Sequence, residues 1–231
     1  MTKEEFFATG ETEIVRVLQY VESLGLRPER TASALDFGCG VGRLTRVLAR
    51  HFHQCLGVDI SPTMIRMAQE FNQDCPGCHF RLNERDDLSL FPDGAFGFIY
   101  SSIVLQHIQR KLVARYLLEL TRVLKAGGVF VFQVPELQKT PLLRKARTKL
   151  ALRRRFNRLL GRRNVQSFHM AMHCFPEKDI RELLSSQPVR ILEVKLTNST
   201  AGDFDGDLRF LDQEPAQGFV SKQYCLVKTG S

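Results

Sequence analysis

The sequence predicts an α/β fold with a mainly parallel sheet and helices on both faces of the sheet. Short apolar stretches typical of strands alternate with amphipathic stretches typical of helices, and this alternation indicates parallel β–α units. The first of these strands also runs through a glycine-rich turn into a helix, as happens at ligand sites in such folds. The length of 231 residues predicts a single domain over 1–231.

The predicted elements follow one another along the chain. The first is a helix over 4–25, broken near Gly10, with its apolar residues on one face. The elements after it are strand 33–37, helix 43–51, strand 55–59, helix 62–72, strand 78–82, strand 96–101, helix 109–124, strand 129–134, helix 177–185, strand 189–196 and strand 218–227. The third helix is predicted to direct inward Met64, Ile65, Ala68 and Phe71. Because no helix separates the last two strands, they are expected to form an antiparallel hairpin at the sheet edge.

Local signals set several of these boundaries. Ser61 is a favourable N-cap, and Pro62 is a favourable first residue for the third helix. The glycines within 126–128 are expected to stop the helix over 109–124. The apolar run 129–134 shows no alternation, so this strand is expected to be buried on both faces.

The composition is that of an ordinary globular protein, with 43% hydrophobic and 25% charged residues. No apolar run approaches the roughly 18 residues that indicate a membrane span. The N-terminus lacks a signal-peptide pattern, so a cytoplasmic location is expected. The six cysteines are scattered, several within apolar strands, which predicts reduced and mostly buried thiols.

Two short patterns approach those of metal sites, and both are incomplete. Cys75 and Cys78 have C-x-x-C spacing, but a second ligand pair at suitable spacing is missing. The acidic residues of 203–214 fall at calcium-loop positions, but Leu208 stands where that loop requires glycine. We therefore expect a turn at the first pattern, a solvated acidic loop at the second, and no metal.

The glycine-rich turn at Gly38, Gly40 and Gly42 is the most informative stretch. Glycines there permit positive φ and the close approach of a ligand. A dinucleotide loop needs G-x-G-x-x-G, and its third glycine would fall where Arg43 stands. A nicotinamide-dependent dehydrogenase is therefore the disfavoured alternative. Asp36, two residues before the first glycine, can face a cationic ammonium group.

This loop resembles motif I of the class I S-adenosylmethionine (SAM)-dependent methyltransferases, most of all the bacterial small-molecule type. The resemblance is strong over 34–134 and weaker at the first helix and the last two strands. It implies SAM as cofactor, S-adenosylhomocysteine as product, and a Rossmann-like sheet of seven strands in the order 3-2-1-4-5-7-6 with strand 7 antiparallel. Gly97 is a departure, because the family often has Asp at that position.

Several residues are expected to contact SAM. Asp59 follows Gly38 by 21 residues at the end of the next strand, where an acid can accept hydrogen bonds from both ribose hydroxyls. The resemblance implies that Glu84 meets the adenine amino group, with Asp87 as the competing choice, and that Met64 packs on the adenine or ribose. The full set of expected cofactor contacts is Asp36, Gly38, Gly40, Gly42, Arg43, Asp59, Ile60, Met64, Glu84, Arg85 and Ser101.

The methyl acceptor is expected to be a small molecule, methylated at oxygen, nitrogen or carbon. The segment after the fourth strand, 101–104, lacks the Pro-Pro-aromatic and Pro-Cys patterns of two nucleic-acid chemistries, so nucleic acid is disfavoured. If the acceptor must lose a proton, His107, His169 and His173 are the candidate bases. The alternatives are a methyltransferase acting on RNA or protein, and a non-catalytic SAM-binding protein.

Residues 137–176 form a basic insert with eleven Lys and Arg and no Asp or Glu. Its positive charge exceeds the net charge of +8 of the whole chain, so the rest of the chain is net negative. Its apolar spacing predicts amphipathic helices, and the family places a substrate lid here. One interpretation of the insert is a helical face exposed to solvent. The other is that it holds an anionic or lipid-associated acceptor or docks on an anionic membrane surface.

Overall fold

A computed structural model of the chain describes residues 2–139, 172–200, 204 and 206–230. The helices are α1 (Lys3–Ser23), α2 (Arg43–His51), α3 (Pro62–Phe71), α4 (Arg110–Val123) and α5 (Glu177–Ser185). The strands are β1 (Ser33–Phe37), β2 (Gln54–Asp59), β3 (Cys78–Leu82), β4 (Phe96–Ser101), β5 (Leu124–Lys139), β6 (Val189–Thr197), β7 (Phe210–Leu211) and β8 (Gly218–Lys228). Most of the basic insert, together with His169, Asp203 and Asp205, lies outside the described residues.

The strands form one sheet in the order β3-β2-β1-β4-β5-β8-β6-β7. The pairs among β1 to β5 are parallel, and β8 runs antiparallel between β5 and β6. The described sheet therefore has eight strands instead of the predicted seven, because the two-residue β7 pairs with the end of β6. With β8 as the predicted strand 7, the predicted order and the antiparallel direction of that strand are confirmed.

The predicted break near Gly10 is wrong, because α1 runs unbroken through it. A Cβ built on Gly10 would lie only 2.6 Å from the carbonyl oxygen of Arg43. Glycine at this position therefore lets α1 approach the first turn of α2 closely. The residue serves helix packing and does not end a helix.

The predicted glycine stop of α4 is also wrong. The helix ends at Val123, and its C-cap Leu124 already has extended backbone angles and begins β5. The pairing of β5 with β4 shifts in register between Leu124 and Val129, so the glycines lie in the irregular start of the strand. From Val129 to Val134 the strand is buried throughout, as predicted.

α3 begins as predicted, because the Ser61 hydroxyl accepts a hydrogen bond from the Met64 amide at 3.3 Å. Ile65 and Ala68 are buried, which confirms half of the predicted inward face. Met64 is 38% exposed, so its predicted inward orientation is wrong. Phe71 is half-buried.

Two apolar cores lie on the two sides of the sheet. One core packs α1 and α2 on the sheet and includes Ile14, Val17, Val47, Leu48, Ala34 and Phe98. The other packs α4 and α5 on the opposite side and includes Leu117, Leu120, Ile180, Phe130, Phe132 and Tyr224. With both sides covered, the carboxyl ends of β1, β2, β4 and β5 form the free edge where loops can build a site.

Cys75 and Cys78 are joined by a disulfide, so the prediction of six reduced thiols is wrong for this pair. The predicted turn is confirmed: the Cys75 amide donates to the Asn72 carbonyl and the Cys78 amide to the Cys75 carbonyl, each at 3.0 Å. The free cysteines are the buried Cys39, Cys55 and Cys225 and the half-buried Cys174.

Two further findings apply to the described part of the chain. None of its helices is long and apolar enough to cross a membrane. Within the same residues, no group of three or more His, Cys, Asp or Glu side chains is arranged to hold a metal ion.

Candidate functional site

The glycine loop joins β1 to α2 at the carboxyl edge of the sheet. The amides of Gly38 and Cys39 both donate to the Val58 carbonyl of β2, at 2.8 and 2.9 Å. Gly40 has a φ of +53°, and a Cβ built on it would meet no atom within 4 Å. The backbone at Gly40 is therefore left open, in a conformation that favours glycine, which is what close approach by a ligand requires.

Asp59, the last residue of β2, lies against this loop. Its Oδ2 accepts a hydrogen bond from the Gly40 amide at 3.0 Å, and its Oδ1 accepts one from the Ser61 amide at 2.9 Å. An ionised carboxylate offers about four lone-pair sites, so both oxygens keep acceptor capacity. The structure thus brings together two elements of the predicted site, the glycine loop and the acid of the next strand.

Asp36 lies beneath the loop and is only 1% exposed. Its Oδ2 accepts a hydrogen bond from the Thr45 hydroxyl of α2 at 2.6 Å. Burial raises the pKa of this carboxyl to about 6, against the opposing effect of the Thr45 hydrogen bond. The acid therefore anchors α2 to the end of β1, and its contact with an ammonium group stays a prediction.

Arg43 directs its guanidinium away from the loop and toward α1. It forms an ion pair with the fully buried Glu13 at 2.7 Å and donates to the Thr9 hydroxyl at 3.2 Å. Tyr100 donates to the other oxygen of Glu13 at 2.9 Å, and burial raises the pKa of this tyrosine well above its ordinary value. The side chain of Arg43 thus fastens α2 to α1, and its backbone is the part that lies at the loop.

Ile60 and Met64 border Asp59 and are unusually exposed for apolar residues, at 67% and 38%. Of the large hydrophobic side chains in the described ranges, only Leu137 is exposed to a similar degree. Their exposure leaves apolar surface available near Asp59. Both were expected to contact the cofactor.

Glu84 and Asp87, the two candidate adenine contacts, differ in the bonds that they already make. Asp87 accepts a hydrogen bond from the Ser89 amide at 3.1 Å and pairs with Arg115 at 3.2 Å. Glu84 is exposed, and its carboxylate has no hydrogen bond or ion pair within the described structure. The Arg85 amide, also a predicted contact, lies 3.4 Å from the Asn83 side-chain oxygen. Glu84 is thus the acid whose oxygens are available.

Ser101 ends β4 and is fully buried. Its hydroxyl donates to the Phe37 carbonyl of β1 at 3.1 Å, so it ties together the two strands between which the site lies. Sequence reasoning missed Gln133, whose side-chain oxygen accepts a hydrogen bond from the Ile103 amide at 3.1 Å. Gln133 is the one polar residue in the apolar run 129–134, and that exception was the available signal.

His107 and His173, the two candidate bases in the described ranges, both lie beside Gln106. The His173 amide donates to the Gln106 carbonyl at 2.8 Å, and the His107 Nε2 lies 3.3 Å from the Gln106 Nε2. Residues 172–176 form neither helix nor strand, so His173 does not lie on a helix, and His169 lies outside the described residues. The structure therefore brings the segment before α5 to the end of β4.

Lys222 connects the end of β5 to the start of α5. Its Nζ lies 2.5 Å from Glu136 and 2.7 Å from Glu177. Burial lowers the pKa of this lysine, but the two carboxylates outweigh burial and raise it. The cluster fixes α5 beside the carboxyl ends of the strands.

A cavity of about 890 Å³ lies elsewhere, near the amino ends of the strands. Its lining includes Ser33, Gln54, Cys78 and Phe96, each at or near the first residue of its strand. Ligands of parallel α/β sheets bind at the opposite, carboxyl edge. This cavity is therefore distinct from the site around the glycine loop.

Comparisons with known proteins agree with this geometry. Residues 35–132 match the family described as a methyltransferase domain. The 2-methyl-6-phytyl-1,4-hydroquinone methyltransferase of Synechocystis is 32% identical over 126 residues, 54% of this chain and 38% of that protein. Trans-aconitate 2-methyltransferase of Deinococcus radiodurans is 37% identical over 113 residues, 48% of this chain and 41% of that protein. The matched region thus spans about two fifths of these relatives.

The fold is similar to that of solved methyltransferases. Magnesium protoporphyrin IX methyltransferase from Synechocystis, with S-adenosylhomocysteine bound, gives a TM-score of 0.60 at 16% identity. The similarity covers 99% of this chain and 89% of that one. Residues 35–132 of this chain are thus similar to a methyltransferase domain, and the described chain shares the fold of solved methyltransferases.

Proposed function

We propose that this protein transfers a methyl group from SAM to a small-molecule acceptor, at an oxygen, nitrogen or carbon atom. The methyltransferase domain over 35–132 supports the proposal. The observation that carries it is the contact between Asp59 and Gly40, which sets a carboxylate against an open glycine loop at the carboxyl edge of the sheet.

The described residues fit SAM group by group. Asp59 keeps lone pairs for the ribose hydroxyls, and Glu84 has a carboxylate available for the adenine amino group. Ile60 and Met64 offer the exposed apolar surface that a purine and its ribose would cover. Asp36 supplies negative charge beneath the loop, which favours the ammonium group of the methionine part.

When bound, SAM supplies an activated methyl group on its sulfonium. The protein then has to align the acceptor and exclude water, and well-aligned reactants gain up to roughly 7–11 kcal/mol in such steps. The 101–104 segment follows β4, and residues 172–176 are bonded to Gln106 and Pro135 near the strand ends where an acceptor would meet the cofactor. His107 or His173 serves as base where the acceptor must lose a proton.

The acceptor is proposed to be anionic or lipid-associated. Ten of the eleven basic residues of 137–176 support this, because they follow in sequence directly after β5, the strand that borders the site. Each basic residue contributes about 1 kcal/mol of attraction near an anionic membrane surface, so several would suffice for reversible contact. A cytoplasmic location is proposed along with it.

Incubation with methyl-labelled SAM and a cell extract separated by molecular size tests the proposal. Label is expected in the small-molecule fractions, and at SAM concentrations below saturation the Asp59→Ala variant should transfer less of it. Label confined to RNA or protein would favour the alternative acceptors. SAM binding without any transfer would leave a non-catalytic binding protein, and tighter binding of NAD than of SAM by calorimetry would overturn the cofactor.

A further inference from the structure

Ile103 has an unusual backbone conformation directly beside the site. Its φ is +59°, and no other non-glycine residue in the described ranges has a positive φ. A β-branched residue rarely adopts this left-handed region, and the conformation costs of the order of 1–3 kcal/mol. Such a residue persists only where its surroundings hold it, and residues of this kind cluster at active sites.

Gln133 of β5 is the side chain that holds Ile103. Its Oε1 accepts a hydrogen bond from the Ile103 amide at 3.1 Å. Its Nε2 donates to the Ser221 hydroxyl of β8, and that hydroxyl also accepts a hydrogen bond from Thr197 at 3.2 Å. Gln133 is 1% exposed, so its amide is fixed from both ends in a site without water competition.

The segment that Ile103 belongs to rests on the glycine loop. A Cβ built on Gly38 would lie 2.3 Å from a methyl carbon of Val104, so glycine is required for the two segments to touch. Ser101, at the other end of the segment, is bonded to the Phe37 carbonyl just before Gly38. A change in the backbone at Ile103 would therefore shift the segment against the loop assigned to the cofactor.

We propose that Gln133 is a positioning residue for methyl transfer. By holding Ile103 at positive φ, it sets the 101–104 segment against the glycine loop and so aligns an acceptor there with the cofactor. Gln133 acts through the Ile103 amide and does not itself touch the reacting atoms. This inference rests on the proposed methyl-transfer function.

A double-mutant cycle tests the proposal, with methyl-labelled SAM and the extract fraction that the wild-type protein labels. Gln133→Leu is expected to lower the rate of transfer about tenfold or more, an amount that matches the conformational cost. Its affinity for SAM, measured by calorimetry, should stay within about threefold of wild type, because the glycine loop keeps its own bonds.

Glycine and alanine at position 103 provide the matched controls. Glycine adopts positive φ without a restraint, so adding Gln133→Leu to Ile103→Gly should lower the rate of transfer no more than about threefold. Adding Gln133→Leu to Ile103→Ala should again lower the rate about tenfold, because alanine still carries a Cβ. An equal cost in both backgrounds, or no loss of rate in Gln133→Leu alone, would overturn the proposal.

One further variant and one further measurement apply if Gln133→Leu does not fold. Ser221→Ala keeps Gln133 but releases its amide, and it should slow transfer several-fold with Ile103 present and much less in the Ile103→Gly background. Thermal unfolding of the two single variants at 103 gives a readout without activity. Ile103→Gly should unfold at a higher temperature than Ile103→Ala. The reverse order would refute the backbone strain inferred at position 103.

The wild-type protein separates this inference from the proposed function. If it transfers no label to any fraction, the proposed function fails. If it transfers label and Gln133→Leu does so at the same rate, the function stands and the positioning role fails.

Discussion

The Gly40 amide nitrogen lies 3.0 Å from Oδ2 of Asp59, so the acid that ends β2 also shapes the loop that follows β1. The second oxygen of Asp59 accepts the Ser61 amide at the start of α3. One carboxylate therefore joins two segments that border the site and keeps lone pairs for a ligand. Its removal should affect both the loop and the binding of ribose.

Asp59→Ala is expected to weaken the binding of SAM at least about tenfold, which corresponds to about 1.4 kcal/mol. The loss follows from the missing ribose contact together with the released Gly40 amide. Isothermal calorimetry measures it directly. Glu70→Ala, which removes an exposed acid on the nearby α3, is the control and should leave the affinity unchanged. Equal affinities of Asp59→Ala and wild type would refute the ribose contact.

Asp36 predicts a dependence of stability on pH. Its pKa in the folded protein is about 6, above the value of 3.8 of an unperturbed aspartate, because burial disfavours the charged form. The folded state therefore binds more protons between these values, and the protein loses stability as pH rises from about 4 to about 6. The loss is about 1.4 kcal/mol per unit of pKa difference and stays constant at higher pH.

Asp36→Asn should abolish this loss, because asparagine has no charge to bury and can still bond the Thr45 hydroxyl. Urea unfolding at several pH values should show the variant gaining on wild type between about pH 4 and pH 6 and staying parallel to it above. The same variant should bind SAM more weakly at pH 7, since the ammonium group loses a negative partner. A difference in stability that does not vary with pH would contradict the assigned pKa.

Much of the fold and part of the site were predictable because their signals are local. The glycine spacing, Asp59 at the next strand end and the Ser61-Pro62 helix start each lie within a few residues of the structure they specify. The strand order came from the resemblance to a known family. The extra strand β7 escaped prediction because two residues paired at a sheet edge leave no periodic pattern.

The remaining features depend on residues distant in sequence. From the sequence alone, Gly10 predicts a break in the helix. In the structure it packs against Arg43, which lies 33 positions later in the sequence. Gly97 departs from the family pattern, and the structure supplies the reason: a Cβ there would lie 2.6 Å from the Cβ of Ala32. Gln133 likewise has no local signature of its bond to Ile103. Packing partners decide the role of these residues.

Variants of Glu84 and Asp87 distinguish which of these two acids contacts the adenine amino group. Glu84→Ala should weaken SAM binding roughly fivefold, about 1 kcal/mol, because its carboxylate has no competing partner in the described structure. Asp87→Asn should leave SAM affinity unchanged, since the oxygens of Asp87 are engaged by Ser89 and Arg115. Calorimetry of the two variants side by side decides between them, and the opposite pattern would move the contact to Asp87.

The ion pair of Glu13 with Arg43 should stabilise the fold far more than an exposed pair between the same helices. Glu13 is fully buried, and Glu13→Ala would leave the Arg43 guanidinium and the Tyr100 hydroxyl without this partner, at a cost of about 3 kcal/mol or more. Glu11→Ala removes a pair with Arg50 in which both side chains are about half exposed, and should cost under about 1 kcal/mol. Urea unfolding measures both. Because Arg43 begins α2 directly after the glycine loop, Glu13→Ala should also weaken SAM binding, whereas Glu11→Ala should not. If the two variants lose similar amounts of unfolding free energy, the buried pair is not needed to position α2.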